Sequence, residues 1–187
     1  MIDWQSVDTV LLDMDGTLLD LQFDNWFWQQ HVPDCYAREK GLEQTEANRI
    51  IHDWITSHQG TLNWYCLDFW TAELGLEIAG LKRAAGDRIS VRPGAEAFLQ
   101  KLQASDKQVI MVTNAHRDAL HLKLERTGID QYFDELVSSH DYGHPKEARR
   151  SGSTCSGTCP SNRAEPCWWT TPCRYCTAPG NTALASR

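Results

Sequence analysis

Apolar and polar residues alternate in blocks along the first 147 positions of this chain. Residues 7–14 (VDTVLLDM) carry a short apolar run, Val10-Leu11-Leu12, that ends in acids and Gly16. Such a run suits a buried parallel strand leading into a turn. Residues 21–88 read as mainly helical and are rich in tryptophan: Trp26, Trp28, Trp54, Trp64 and Trp70. Arg92-Pro93-Gly94 breaks that pattern. Residues 95–102 (AEAFLQKL) then predict an amphipathic helix with Ala95, Phe98, Leu99 and Leu102 on one face. A second strand is predicted over 108–114 (QVIMVTN), again ending in polar residues. A helix over 117–127 stops at Gly128, a common C-cap, and Leu136-Val137-Ser138 is a shorter third strand. Strands alternating with helices predict an α/β fold, a parallel sheet with right-handed crossovers. Ligands of such sheets gather at the carboxyl ends of the strands.

The polar groups of interest fall at those ends. In Asp13-Met14-Asp15-Gly16-Thr17-Leu18-Leu19-Asp20, two carboxylates two residues apart can converge if the chain turns, and Gly16 permits the turn. Phosphoryl transfer needs a nucleophile, a proton donor for the leaving oxygen and cancellation of negative charge. Asp13 can attack phosphorus, and Asp15 can protonate the leaving alcohol and later deprotonate water. Two unit charges 4 Å apart interact by roughly 4 kcal/mol at an effective dielectric of 20, so a phosphate dianion facing Asp13 calls for cations. Mg²⁺ with oxygen ligands is the natural choice, with Lys146 as a second cation. A lone Asp-x-Asp is more often a solvated turn; the full string after an apolar strand makes that reading the weaker one.

The string DMDGTLLD resembles the first motif of the haloacid dehalogenase superfamily. Val112-Thr113-Asn114-Ala115-His116 is similar to its second motif, about 100 residues later, and Gly143-His144-Pro145-Lys146-Glu147 to its third. Taken singly, a strand-end Thr is usually a helix N-cap and a loop Lys is usually solvated. The resemblance implies more. It makes Thr113 a phosphate ligand, with backbone N–H groups near Asn114 assisting. Lys146 would hold nucleophile and phosphoryl group, and Asp13 and Asp15 would bind Mg²⁺. It also implies a Rossmann-like core over 1–20 and 89–147, with residues 21–88 inserted as a helical cap that selects substrate. DMDGTLLDLQFDNWFWQ, TLNWYCLDFW, VTNAH and GHPKE together resemble the purine 5′-nucleotidases that act on GMP and IMP in gamma-proteobacteria. Aromatics at helical spacing, as in residues 62–70, are more often core than ligand platform. A sugar-phosphate or phosphoglycolate phosphatase and a phosphomutase are alternatives within the superfamily. A dehalogenase is disfavoured, since Asp15 has no clear part in halide displacement.

Charge and composition narrow the field and expose a break. The net charge of −7 is unsuited to binding a nucleic-acid backbone. No apolar run approaches the ~20 residues that span a bilayer, and the N-terminus lacks the order of a signal peptide. A cytoplasmic enzyme acting on a small phosphate ester is expected. Residues 148–187, however, hold five of the seven cysteines, four prolines, a single acid (Glu165) and a single Val/Ile/Leu residue (Leu184). That composition cannot bury enough surface to offset its ordering entropy, so disorder is expected there. The superfamily's fourth motif, a strand ending in acids that complete the Mg²⁺ site, is missing.

Cys155, Cys159, Cys173 and Cys176 raise the alternative of a non-catalytic zinc-binding protein. Their spacing is irregular and Cys167 lies between the pairs. A disulfide framework is disfavoured in the cytosol. A frameshift explains more. Cys167-Trp168-Trp169-Thr170-Thr171, read from each codon's third base, gives Leu-Val-Asp followed by a residue that can be Asp. The first three letters are forced by the genetic code, and Pro166 adds Leu, Met or Val in front. The product is an apolar strand ending in acids. A one-base shift near Ala148 would thus account for the composition, the cysteines and the lost motif together. Without those acids the chain is expected to hold Mg²⁺ weakly, to be poorly active, and to leave an exposed sheet edge.

Overall fold

The computed structural model describes residues 3–148 and the backbone of 182–185. Four parallel strands, β1 (Thr9–Leu12), β2 (Gln108–Thr113), β3 (Glu135–Ser138) and β4 (Thr182–Ala185), form a sheet in the order β3-β2-β1-β4. Leu12 aligns with Met111, and Thr113 with Ser138, so β1, β2 and β3 finish along one edge. Both faces are covered. Val10, Leu12 and Met111 point into the main core, while Leu11, Val112 and Val137 pack on the other side. Burial on both faces is why these strands read as unbroken apolar runs.

The fourth strand departs from expectation. The second side of β1 is paired with β4, drawn from the segment expected to be disordered, with Leu12 aligned to Ala185. Unpaired N–H and C=O groups on an edge will accept any extended segment, because the ladder is made by backbone. The strand restores pairing without chemistry: Thr182-Ala183-Leu184-Ala185 contains no acid, and Ser186 and Arg187 follow it. The frame-shifted Leu-Val-Asp reading and the cysteine pairs lie outside the described residues.

Between β1 and β2 the chain is helical. Helix α1 (Gln22–Trp26), a π-helical turn (Phe27–His31) and α2 (Val32–Lys40) run on without a break to Gly41, whose φ of +64° ends the rod. Next come α3 (Gln44–His58), a 3₁₀ turn (Leu62–Tyr65), α4 (Leu67–Leu74) and α5 (Ile78–Ala84). Phe27, Ile51, Trp70 and Ile78 are sealed in this layer. Trp70, at the end of the aromatic stretch, is a core residue that packs on Trp28 and donates its indole N–H to the Trp64 carbonyl at 3.0 Å. Helices α6 (Ala95–Gln103) and α7 (Arg117–Thr127) lead into β2 and out of it. The amphipathic reading of α6 holds: Ala95, Leu99 and Leu102 are buried and Phe98 partly so. Helix α7 closes on Gly128 in the left-handed conformation, as the sequence predicted.

Candidate active site

The chain leaves β1 at Asp13 and turns sharply. Leu18 and Leu19 both donate to the Met14 carbonyl at 2.9 Å, and Gly16 donates to the Leu19 carbonyl at 2.9 Å. Gly16 sits at φ +76°, where an L side chain is strained, which explains glycine here. Arg92 pins the loop from outside: its N–H donates to the Leu18 carbonyl at 2.8 Å and its guanidinium to the Gly16 carbonyl. The turn leaves both carboxylates at the carboxyl edge of the sheet.

Asp13 is held at both oxygens. The Met14 N–H donates to Oδ1 at 2.8 Å, and Lys146 Nζ lies 2.5 Å from Oδ2. Lys146 arrives from the loop after β3, which is fastened by Asn114. The Asn114 side chain accepts from the Lys146 N–H at 2.8 Å and donates to Glu147 at 2.8 Å. Asn114 is therefore a clamp on the Lys146 loop rather than a side chain free for ligand. Thr113 is buried at the end of β2, and its hydroxyl oxygen accepts the Ala115 N–H at 3.1 Å, leaving the hydroxyl hydrogen to donate elsewhere. Ser138 and Ser139, at the end of β3, donate to the Ala115 and Thr113 carbonyls at 2.8 and 3.0 Å. The structure thus brings Asp13, Asp15, Thr113, Asn114 and Lys146 to one edge.

Sequence reasoning missed the charges behind Asp15. Lys123 Nζ donates to Asp15 Oδ1 at 2.7 Å and to Asp24 Oδ2 at 2.6 Å, and Lys82 donates to the other Asp24 oxygen. Both lysines are only 3% exposed, which is exceptional for this residue type. Lys82 also lies 4.9 Å from the centres of the Phe23 and Phe27 rings. Burial alone would raise Asp24, but the ammoniums of Lys82 and Lys123 overturn it and hold the carboxyl down at about 2. Asp15 goes the other way: burial pushes it up, and Lys123 only partly opposes this. One carboxyl is thus kept ionised and its neighbour is shifted towards the protonated form. A signal for the lysines existed. Lys123 is four residues from Ala119 and three from Leu120, and Lys82 four from Ile78, so each lies on a buried helical stripe.

These groups open into a cavity of about 940 Å³ between the helical layer and the strand ends. Its lining includes Asp15, Lys123 and His116 on one side and Trp28, Trp64 and Tyr65 on the other. Burial pushes the Tyr65 phenol up, with Glu147, Asp13 and Asp15 adding to the effect, so Tyr65 overlooks the acids. Among the described residues, Asp13 and Asp15 are joined by no third acid close enough to share an ion. Nor is any helix there long and apolar enough to cross a membrane.

Comparison with known proteins agrees with this architecture. The haloacid dehalogenase-like hydrolase family matches residues 7–151. The chain belongs to the haloacid dehalogenase-like hydrolases. It is 50% identical over 149 residues to the GMP/IMP nucleotidase YrfG of Escherichia coli K12, a match covering 80% of this chain and 67% of that protein. It is 25% identical over 154 residues to the pyrimidine 5′-nucleotidase YjjG of the same organism. A haloacid dehalogenase-like phosphatase from Thermococcus onnurineus superposes with a TM-score of 0.65 at 24% identity, covering 72% of this chain and 63% of that one, and so shares the fold. The chain thus spans about two thirds of the relatives it matches.

Proposed function

We propose that this haloacid dehalogenase-like hydrolase is built to hydrolyse purine 5′-nucleotides, GMP or IMP, through an aspartyl-phosphate on Asp13. The observation that carries the reading is the Asp13 carboxylate, fixed at 2.5 Å from Lys146 at the strand ends, two residues before Asp15, which lines a large cavity with aromatic walls. The 50% identity to a GMP/IMP nucleotidase supplies the substrate class. In this reading residues 21–88 are the cap over a core of 1–20 and 89–147, and 148–187 are an aberrant tail.

An Asp13 oxygen attacks phosphorus, and the bond from phosphorus to the sugar's 5′ oxygen breaks. The proton on Asp15 passes to that leaving oxygen. Asp15, now ionised, takes a proton from water as the water oxygen attacks phosphorus, releasing phosphate and regenerating Asp13. The Lys146 ammonium, the Thr113 hydroxyl and backbone N–H groups near Asn114 carry the charge of the phosphoryl oxygens.

The family implies Mg²⁺, which when bound neutralises charge on the transferring group. The donors on hand are the Asp13 carboxylate and the backbone carbonyl of Asp15. Mg²⁺ usually takes one or two carboxylates and fills the rest of its octahedron with water and phosphate. Among the described residues that single carboxylate is shared with Lys146, which puts the set at the weak end of that range.

A panel of GMP, IMP, pyrimidine nucleotides, sugar phosphates and phosphoglycolate tests the reading, run with Trp64→Ala beside the parent chain. Preference for purine nucleotides is expected, and Trp64→Ala should erode it. Faster turnover of sugar phosphates by the parent would overturn the substrate assignment, and unchanged preference in Trp64→Ala and Trp28→Ala would remove the tryptophans' part in it.

A further inference from the structure

One cluster of ligating side chains plays no part in the chemistry above. Cys66 sits at the junction between the Leu62–Tyr65 turn and α4, His116 at the start of α7, and His140 in the 3₁₀ turn (Ser139–Asp141) after β3. One potential ligand atom from each lies within 4.8 Å of the others. The imidazole rings of His116 and His140 are 5.0 Å apart at 80°. Independently, His140 Nε2 is buried and has no hydrogen-bond partner. A buried polar atom left so is unfavourable, and a ligand would remove that penalty.

We infer that Cys66, His116 and His140 form a binding site for Zn²⁺ that fastens the helical insert to the strand ends. The donor set decides the ion. One thiolate and two imidazoles suit zinc, whereas Mg²⁺ and Ca²⁺ take oxygen. Tetrahedral bonds of about 2.0–2.3 Å put donor atoms roughly 3.5 Å apart, so donors already within 4.8 Å of one another need only a small approach to bind. Asp68 Oδ2, 3.6 Å from His116 Nε2, is within reach as a fourth donor, and water is the alternative. Burial and the neighbouring His116 lower the pKa of His140, which leaves its ring neutral and able to coordinate. His116 Nδ1 now accepts weakly from the Asp118 N–H at 3.4 Å. Coordination through Nε2 moves the ring proton to Nδ1, where the Asp118 carboxylate at 3.8 Å can accept it. As the Zn–S bond forms, the Cys66 thiol gives its proton to solvent.

The position gives the site a consequence. Cys66 belongs to the helical insert and both histidines to the sheet layer, and His116 lines the cavity that holds Asp15. Zinc there would tie the helical insert to the strand ends at the wall of the cavity that Asp15 lines.

Protection of Cys66 from alkylation tests it on the whole chain. Iodoacetamide labelling is followed peptide by peptide by mass spectrometry, with Zn²⁺ in excess over all seven cysteines. Zinc should slow labelling of Cys66 by about tenfold or more and leave Cys35 unchanged. The same concentration of Mg²⁺ should do nothing. Protection should vanish in His140→Ala and in His116→Asn, with the Cys35 rate reporting that each variant remains folded. Labelling of Cys66 unaffected by Zn²⁺ in the parent chain would overturn the proposal, as would protection that survives both substitutions.

Discussion

Two carboxyls that share the Lys123 ammonium are pushed in opposite directions by their surroundings. Asp24, between two ammoniums, is held down at about 2; Asp15 is pushed up by burial, against the pull of Lys123. A general acid must carry its proton when the leaving group departs, so the rate should fall as pH rises through the elevated Asp15 pKa. Lys123→Met removes a group that favours the ionised form, and the fall should move to higher pH. A pH profile of kcat for both proteins checks this; an unshifted alkaline limb would contradict it. Asn114 makes a second prediction at this scale. It holds the Lys146 backbone, so Asn114→Ala should let the ammonium drift from Asp13 and lower kcat by about 100-fold. Thermal melting should change little beside that loss.

Strands and helices joined by local pattern were legible in advance: β2, β3, α6 and α7 follow directly from apolar runs, a helical stripe and Gly128. That Asp13, Asp15, Thr113 and Lys146 gather at one edge of the sheet was legible because each lies at a strand end or in a loop beyond it. The Asp24–Lys82–Lys123 network was not. Its members come from α1, α5 and α7, and their partners are fixed only when those helices pack. A lysine on an apolar stripe reads as a surface residue until the structure supplies its acid. Nor could the sequence foresee that residues 182–185 would take the β1 edge, since ladder pairing is made by backbone rather than side chains.

The network should matter to the helices that carry it. Lys82→Met leaves the buried Asp24 short of one partner and should cost about 3 kcal/mol in denaturant unfolding. A change below about 0.5 kcal/mol would mean that the pair is decorative. The acid limb has a definite sign. Asp24 is lowered from 3.8 to about 2, so its contribution is present above the unfolded pKa and is lost as pH falls through about 2. That contribution is on the order of 2 kcal/mol and should be absent in Asp24→Asn.

At the scale of the whole molecule the chain is a family core with a discontinuity. The family match ends at residue 151, close to where acids and aliphatic residues give out at 148. The strand beside Asp13 is present, but it brings no carboxylate. Asp13, Asp15 and Lys146 therefore meet, among the described residues, beside a fourth strand without an acid, as a single-base shift near Ala148 would leave them. A gene with one base restored there should encode Leu-Val-Asp near residues 167–170, and its product should bind Mg²⁺ far more tightly. Phosphate release from GMP, titrated with Mg²⁺ for the 187-residue chain and its Asp13→Asn variant, tests the account most directly. Slow hydrolysis that needs Mg²⁺ well above a few millimolar and disappears in Asp13→Asn is the predicted result. Rapid turnover at submillimolar Mg²⁺, or hydrolysis that survives Asp13→Asn, would contradict it.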